Sequence, residues 1–154
     1  MAKKSAGLLL YRIEKKILEV FLVHPGGPFW VKKDDGAWSI PKGEFEDDED
    51  PLVAAKRELE EETGFTVSGK FIELTPVKQK GGKIIYAWAV ETNIDASLIK
   101  KSNLFEIEWP PRSGIKKSLP EIDRATWLKI TEAKIKINTG QLPMIEELEN
   151  KTNS

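Results

Sequence analysis

The sequence predicts an α/β fold in which a mixed β-sheet is sandwiched between helices. Three observations point there. Apolar, β-rich segments lie on both sides of one strongly marked central helix, and a second clear helical segment closes the chain. The 154 residues include 40% hydrophobic side chains, enough for one well-filled core. A sheet with helices interspersed this way hides both faces under helical layers, so residues 1–154 are expected to form one domain.

In chain order, Ser5 to Ile13 and Ile17 to His24 are rich in Leu, Val and Ile, and Glu14-Lys15-Lys16 between them reads as a turn, so the pair predicts a hairpin. Pro25-Gly26-Gly27-Pro28 breaks regular structure and opens a loop running to Gly36. Trp38 to Ile40 reads as a short strand stopped by Pro41. The helix follows an acidic stretch: Asp50 is a side-chain cap, Pro51 suits the first helical position, and Gly64 suits the left-handed residue that ends a helix. Phe71 to Gln79 and Lys83 to Thr92 flank Gly81-Gly82 and predict a second hairpin. Trp109 to Pro120 reads as a proline-containing loop, Ala125 to Leu128 as a strand, Thr131 as the cap of a short helix, and Leu142 to Leu148 as the last helix.

Composition narrows the function classes. With 24 basic and 25 acidic residues the net charge is −1, which gives no reason to expect duplex nucleic acid or an anionic membrane as partner. The absence of cysteine excludes disulfides, thiolate zinc sites and cysteine nucleophiles, and fits a reducing cytoplasm. The apolar run Ala6 to Tyr11 is far shorter than the roughly 20 residues of a membrane span, and Arg12 and Glu14 follow at once.

The chemistry concentrates on the central helix. At about 100° per residue, Glu58, Glu61 and Glu62 fall within one arc of about 100°. Leu52, Ala55 and Leu59 occupy the neighbouring arc. Three carboxylates therefore stand together at the edge of an apolar face, where like charges three and four residues apart weaken a helix. A solvated acidic face is the competing reading. Against it, the glutamates border the apolar stripe instead of opposing it, and a Pro41-Lys42-Gly43 turn precedes the helix. A hard cation such as Mg²⁺ offsets the repulsion, takes oxygen ligands and bridges to phosphates.

From Gly43 to Phe65 the chain resembles the Nudix box of the MutT-type hydrolases, G-x5-E-x7-R-E-U-x-E-E-x-G-U with U a bulky apolar residue. Gly43, Glu49, Arg57, Glu58, Leu59, Glu61, Glu62, Gly64 and Phe65 fill every fixed position. The lead-in Trp38-Ser39-Ile40-Pro41-Lys42 is also similar to the family. The resemblance implies a Nudix fold with a loop–helix–loop motif, and a hydrolase that cleaves a diphosphate linkage in a nucleotide. It implies divalent metal, Mg²⁺ or alternatively Mn²⁺, held by Glu58, Glu61 and Glu62 with the backbone carbonyl near Lys42 or Gly43. It also implies an ion pair of Arg57 with Glu49 that orients the catalytic glutamates, and Glu58 as first candidate for ligand or base.

Around that site, Lys42 is a candidate phosphate contact, and Glu106 and Glu108 are candidates for an extra ligand or base. Trp30, Trp38 and Trp109 lie in loops or at sheet ends, where a nucleobase can stack. Trp88 and Trp127, inside strands, read as core. His24 and the lysines about Gly81-Gly82 read as structural and edge residues. A nucleoside triphosphate and a dinucleoside polyphosphate both suit the class. The Trp-x-x-Pro-Lys-Gly lead-in and the short second half are similar to diadenosine tetraphosphate hydrolases. Two alternatives remain: a nucleotide-binding Nudix sensor without catalysis, and a Nudix-type isomerase. The expected partner is a small nucleotide, and the expected assembly a monomer or homodimer.

Overall fold

β1 is the hub of the fold because it is paired on both edges and buried on both faces. A computed structural model describes residues 3–79, 81–96, 104–108, 111–120 and 122–152. The elements are β1 (Lys4–Glu14), β2 (Ile17–Pro25), β3 (Lys42–Glu44), α1 (Pro51–Thr63), β4 (Ile72–Glu73), β5 (Val77–Lys78) and β6 (Ile84–Glu91), followed by β7 (Leu104–Glu108), β8 (Lys116–Pro120), β9 (Ile122–Lys129), α2 (Ile130–Lys136), a 3₁₀ turn at Thr139–Gln141 and α3 (Leu142–Thr152). The main sheet runs β4-β6-β1-β2-β9, with β3 also on β1 and β5 also on β6. β1 and β6 are parallel and the other pairs antiparallel, so the sheet is mixed, as the sequence predicts.

Side chains alternate across the sheet, and each face has its own helical cover. Leu8, Leu10, Phe21 and Val23 pack with Ala54, Ala55 and Leu59 of α1. Leu9, Val20, Leu22 and Ile85 pack with Ala133, Met144, Ile145 and Leu148 of α2 and α3. Double-sided burial explains why β1 reads as a continuous apolar run without alternation.

The β1–β2 hairpin turns at Lys15 and Lys16, whose φ angles of 51° and 68° match the sense of twist such turns need. The two strands then diverge. β1 pairs with β2 from Tyr11 to Glu14 but with β3 from Ser5 to Gly7, while Val23 of β2 bridges Ser39. The segment from Trp38 to Glu44 is thus wedged between the separating strands. Approach is close at Gly7, where an added methyl group would lie 2.5 Å from the Pro41 carbonyl oxygen.

Four sequence expectations are corrected. Trp38–Ile40 makes isolated bridges, and the strand lies beyond Pro41, at Lys42–Glu44. Pro76 divides the expected Phe71–Gln79 strand into β4 and β5, which both pair with β6. The region from Trp109 to Pro120 contains β8, which pairs with β7 in a separate two-stranded sheet. Thr131 does not cap α2; β9 passes directly into the helix at Ile130, with Lys129 at the cap position and no side-chain hydrogen bond there.

Candidate active site

α1 forms as its sequence demands. The Asp50 carboxylate accepts from the Val53 amide at 3.1 Å, Pro51 starts the helix, and Gly64 ends it at φ 83°. The helix faces the sheet with Ala54, Ala55, Leu59 and Thr63, and also with Glu58 and Glu62. Two of the three convergent glutamates therefore lie within the buried face, 8% and 7% exposed, not merely beside it. The Glu61 side chain is 38% exposed.

Gly43 makes this burial possible. A methyl group added there would lie 2.1 Å from both Cδ and Oε2 of Glu58. The Glu58 carboxyl group thus occupies the space that any other residue at position 43 would fill.

Arg57 binds the carboxylates together. Its Nε and Nη2 donate to the two Glu49 oxygens at 3.0 Å each, a bidentate pair. Its Nη1 donates to Glu58 Oε1 at 2.9 Å and to the Glu61 oxygens at 3.2 and 3.3 Å. These bonds hold the Glu49 carboxyl below its ordinary 4.5 and raise the guanidinium further above its usual range. One cation therefore orients residues from the loop and from two turns of the helix.

Lys42 lies on the other side of the turn. Burial, then the nearby Lys83, lower its ammonium below the ordinary 10.5, against the attraction of Glu62, Glu44 and Glu58. Lys42 and Glu62 line a cleft of about 130 Å³ with Val23, Pro25, Ser39, Ile40 and Ile122. Ser39 and Ile40 belong to the lead-in the sequence marked, but the cleft itself could not be read there, because it exists only where the diverging strands, α1 and the start of β9 meet.

Other expected ligands fall elsewhere. Trp38 is 5% exposed, its Nε1 donates to Asp34 at 2.7 Å, and its ring meets His24 edge-on and Arg124 by cation–π contact. It packs in the core with Ile137, Ala133 and Met144 of the α2–α3 layer, which leaves little of its ring surface open for a base to stack on. Trp30 stays on the loop after β2, 37% exposed, with Lys33 Nζ 5.1 Å from its ring centroid. Trp109 lies outside the described residues, as do the side chains of Glu106 and Glu108, whose backbones sit in β7. His24 is fully buried between Asp123 and the Lys33 carbonyl, at 2.7 and 2.6 Å, and so ties the loop to β9.

Hard oxygen donors beside a lysine suit a divalent cation and the phosphates it bridges. Among the described residues, no three carboxylates or imidazoles already form a cage for one. Glu61 instead faces Arg57, as expected of like charges that turn to the nearest cation.

The site is thus a loop–helix–loop seated under the sheet, with one arginine joining Glu49, Glu58 and Glu61 and with Glu58 and Glu62 buried. A family model described as NUDIX domain matches residues 1–148, and the chain belongs to the Nudix family. It is 32% identical to Nudix hydrolase 7 of Arabidopsis thaliana over 130 residues, 83% of this chain and 39% of that one. It is 54% identical to Nudix hydrolase 25 of the same plant over 41 residues, 27% of this chain and 23% of that one. The chain thus spans well under half the length of either relative. The fold matches the NUDIX domain of Shewanella oneidensis NrtR complexed with ADP ribose, with TM-score 0.67, 15% identity, and coverage of 99% of this chain and 89% of that one. It also matches a C. elegans Ap4A hydrolase binary complex, with TM-score 0.66, 19% identity, and coverage of 97% and 98%. Among the described residues, no helix is long and apolar enough to cross a membrane.

Proposed function

We propose that this protein is a divalent-metal-dependent hydrolase that cleaves a diphosphate linkage in a nucleotide by water attack on phosphorus. The carrying observation is the burial of Glu58 and Glu62 on the sheet-facing side of α1, with the Glu58 carboxyl group against Gly43. Carboxylates are costly to bury in an apolar setting, and a bound cation would offset the negative charge that Glu58 and Glu62 bring to this face.

Glu58, Glu61 and Glu62, with the Gly43 carbonyl, would hold Mg²⁺ or Mn²⁺. Once bound, such an ion neutralises diphosphate charge and acidifies a coordinated water. Glu61 has the longer contacts to Arg57, at 3.2 and 3.3 Å, and is partly exposed, so its carboxylate has the freedom to turn toward a cation. Arg57 and Glu49 keep the helix-borne carboxylates oriented. Lys42 offers a cation to a phosphate in the cleft, and a glutamate, Glu58 first, takes the proton of the attacking water as the P–O anhydride bond breaks. Trp30 and Trp109, the latter outside the described residues, are the base-stacking candidates. A cleft of about 130 Å³ is smaller than a typical ligand pocket of roughly 300–1,000 Å³. It suits the phosphate portion of the substrate and leaves the base to the surrounding loops.

The substrate class is a nucleoside diphosphate joined to a further group. One structural neighbour is complexed with ADP ribose and another is an Ap4A hydrolase, both of which concern nucleotides of this chemistry. A panel of nucleoside triphosphates, dinucleoside polyphosphates and ADP ribose, assayed with Mg²⁺ for released phosphate products, tests the reading. Turnover of at least one is expected, and Glu61→Gln and Glu62→Gln should each lower it by about 10²-fold or more with the fold retained. No turnover of any member by folded, metal-supplied protein, or near-normal rates in both variants, overturns it.

A further inference from the structure

We infer that Gln141 is a positioning residue that sets the placement of the Pro41–Gly43 turn from the opposite helical layer. The activity arm of this inference rests on the hydrolase reading above.

Gln141 ends the 3₁₀ turn before α3 and is 1% exposed. Its Oε1 accepts from the Ile40 amide at 3.1 Å, and its Nε2 donates to Ser39 Oγ at 3.0 Å. Ser39 Oγ in turn donates to the Ile40 carbonyl at 2.7 Å. Ser39 Oγ also lies within donating distance of Gln141 Oε1, at 3.3 Å, so the side chain's three contacts all go to two adjacent residues about 100 positions earlier in the chain.

The need for it follows from strand geometry. Ser39 exchanges both backbone hydrogen bonds with Val23, at 2.9 and 2.8 Å. Backbone groups of the next residue in an extended chain point to the opposite side, away from β2, and there Ile40 has no strand neighbour. Ile40 is 1% exposed, so its amide is shut off from solvent. The Gln141 amide group stands where a neighbouring strand would supply the acceptor.

The chain is thus fixed residue by residue: Ser39 by β2, Ile40 by Gln141, and Pro41 by the Leu8 amide, which donates to its carbonyl at 3.2 Å. Lys42 and Gly43 come next. The proline ring restrains φ between Ile40 and Lys42, so a shift at Ile40 is passed on to the turn. At Gly43 there is little slack, because the Glu58 carboxyl group already fills the space of a Cβ.

Gln141→Leu removes these hydrogen bonds with little change in size, and Gln141→Glu keeps an acceptor opposite Ile40. With Mg²⁺ and diadenosine tetraphosphate, kcat of Gln141→Leu should fall about tenfold or more, since misplacement by about 1 Å can cost roughly 10²-fold. KM should change by less than about threefold, and Gln141→Glu should recover part of the lost kcat. A purely structural role would lower the melting temperature and leave kcat of the folded protein alone. A folded Gln141→Leu protein with kcat within about threefold of the unsubstituted chain overturns the inference, as does an absence of recovery in Gln141→Glu. If Gln141→Leu does not fold, Gln141→Met is read against the same limits. Should the unsubstituted protein turn over no nucleotide, the hydrolase reading fails by itself. Mn²⁺ binding without nucleotide, followed by the free-ion electron paramagnetic resonance signal, then decides: weakening by about threefold or more supports the positioning role, and a smaller change overturns it.

Discussion

At the scale of single residues, the candidate site depends on a few atoms that have no room to move. Gly43 is the sharpest case. Its need for glycine comes from the side chain opposite, since the Glu58 carboxyl group lies where a Cβ would stand. Gly43→Ala should displace Glu58 and lower turnover by about 10²-fold, while far-ultraviolet circular dichroism stays that of the folded chain. A kcat within a few-fold of the parent would show that Glu58 can shift without consequence. Arg57 has the complementary task, gathering Glu49, Glu58 and Glu61 at 2.9–3.3 Å. A lysine there has one ammonium and cannot reproduce the fork.

At the scale of elements, α1 must be both a core helix and a carboxylate platform. Its apolar contribution is modest, as Ala54, Ala55 and Leu59 are its buried aliphatic residues. Its end signals therefore matter. Asp50→Ala removes the bond to the Val53 amide and should lower unfolding stability by about 1 kcal/mol, read as a shift in the urea midpoint with unchanged slope. A shift too small to measure would mean that tertiary contacts alone hold the first turn. The wedge of chain from Trp38 to Glu44 is the second decisive element. It has little secondary structure of its own and takes its shape from β1, β2 and the α2–α3 layer.

At the scale of the whole molecule, two ion-paired acids, Glu49 with Arg57 and Asp34 with Lys136, tie loops to helices and contribute to acid stability. Glu49 is held below its ordinary 4.5 by hydrogen bonds from Arg57, and Asp34 below its ordinary 3.8 by hydrogen bonds from Lys136 and then Trp38. A carboxyl group whose folded pKa is lowered contributes stability at pH above its unfolded value, and that contribution disappears as pH falls through the lowered folded value. The melting temperature should therefore drop as pH falls below the ordinary carboxyl values of 4.5 and 3.8 and through the lowered folded ones. The drop should be shallower in a Glu49→Gln/Asp34→Asn protein, which starts from a lower plateau at neutral pH. Equal acid slopes in the two proteins would show that other groups govern the acid limb.

Much of this protein could be read from its sequence because the relevant physics is local. The β1–β2 hairpin, α1 with both its caps, the glycine turn before β6 and α3 each follow from periodicity, turn residues or capping chemistry within a short stretch. The spacing from Gly43 to Phe65 likewise placed Glu58, Glu61 and Glu62 on one arc. Tertiary structure decided what depends on distant neighbours: the parallel pairing of β1 with β6, the strand beyond Pro41, the burial of Trp38, and the Gln141 brace on Ile40. It also decided that Glu58 and Glu62 lie inside the buried face and Glu61 outside it. Helical geometry can gather side chains on one arc, but only the sheet opposite determines which part of that arc is covered.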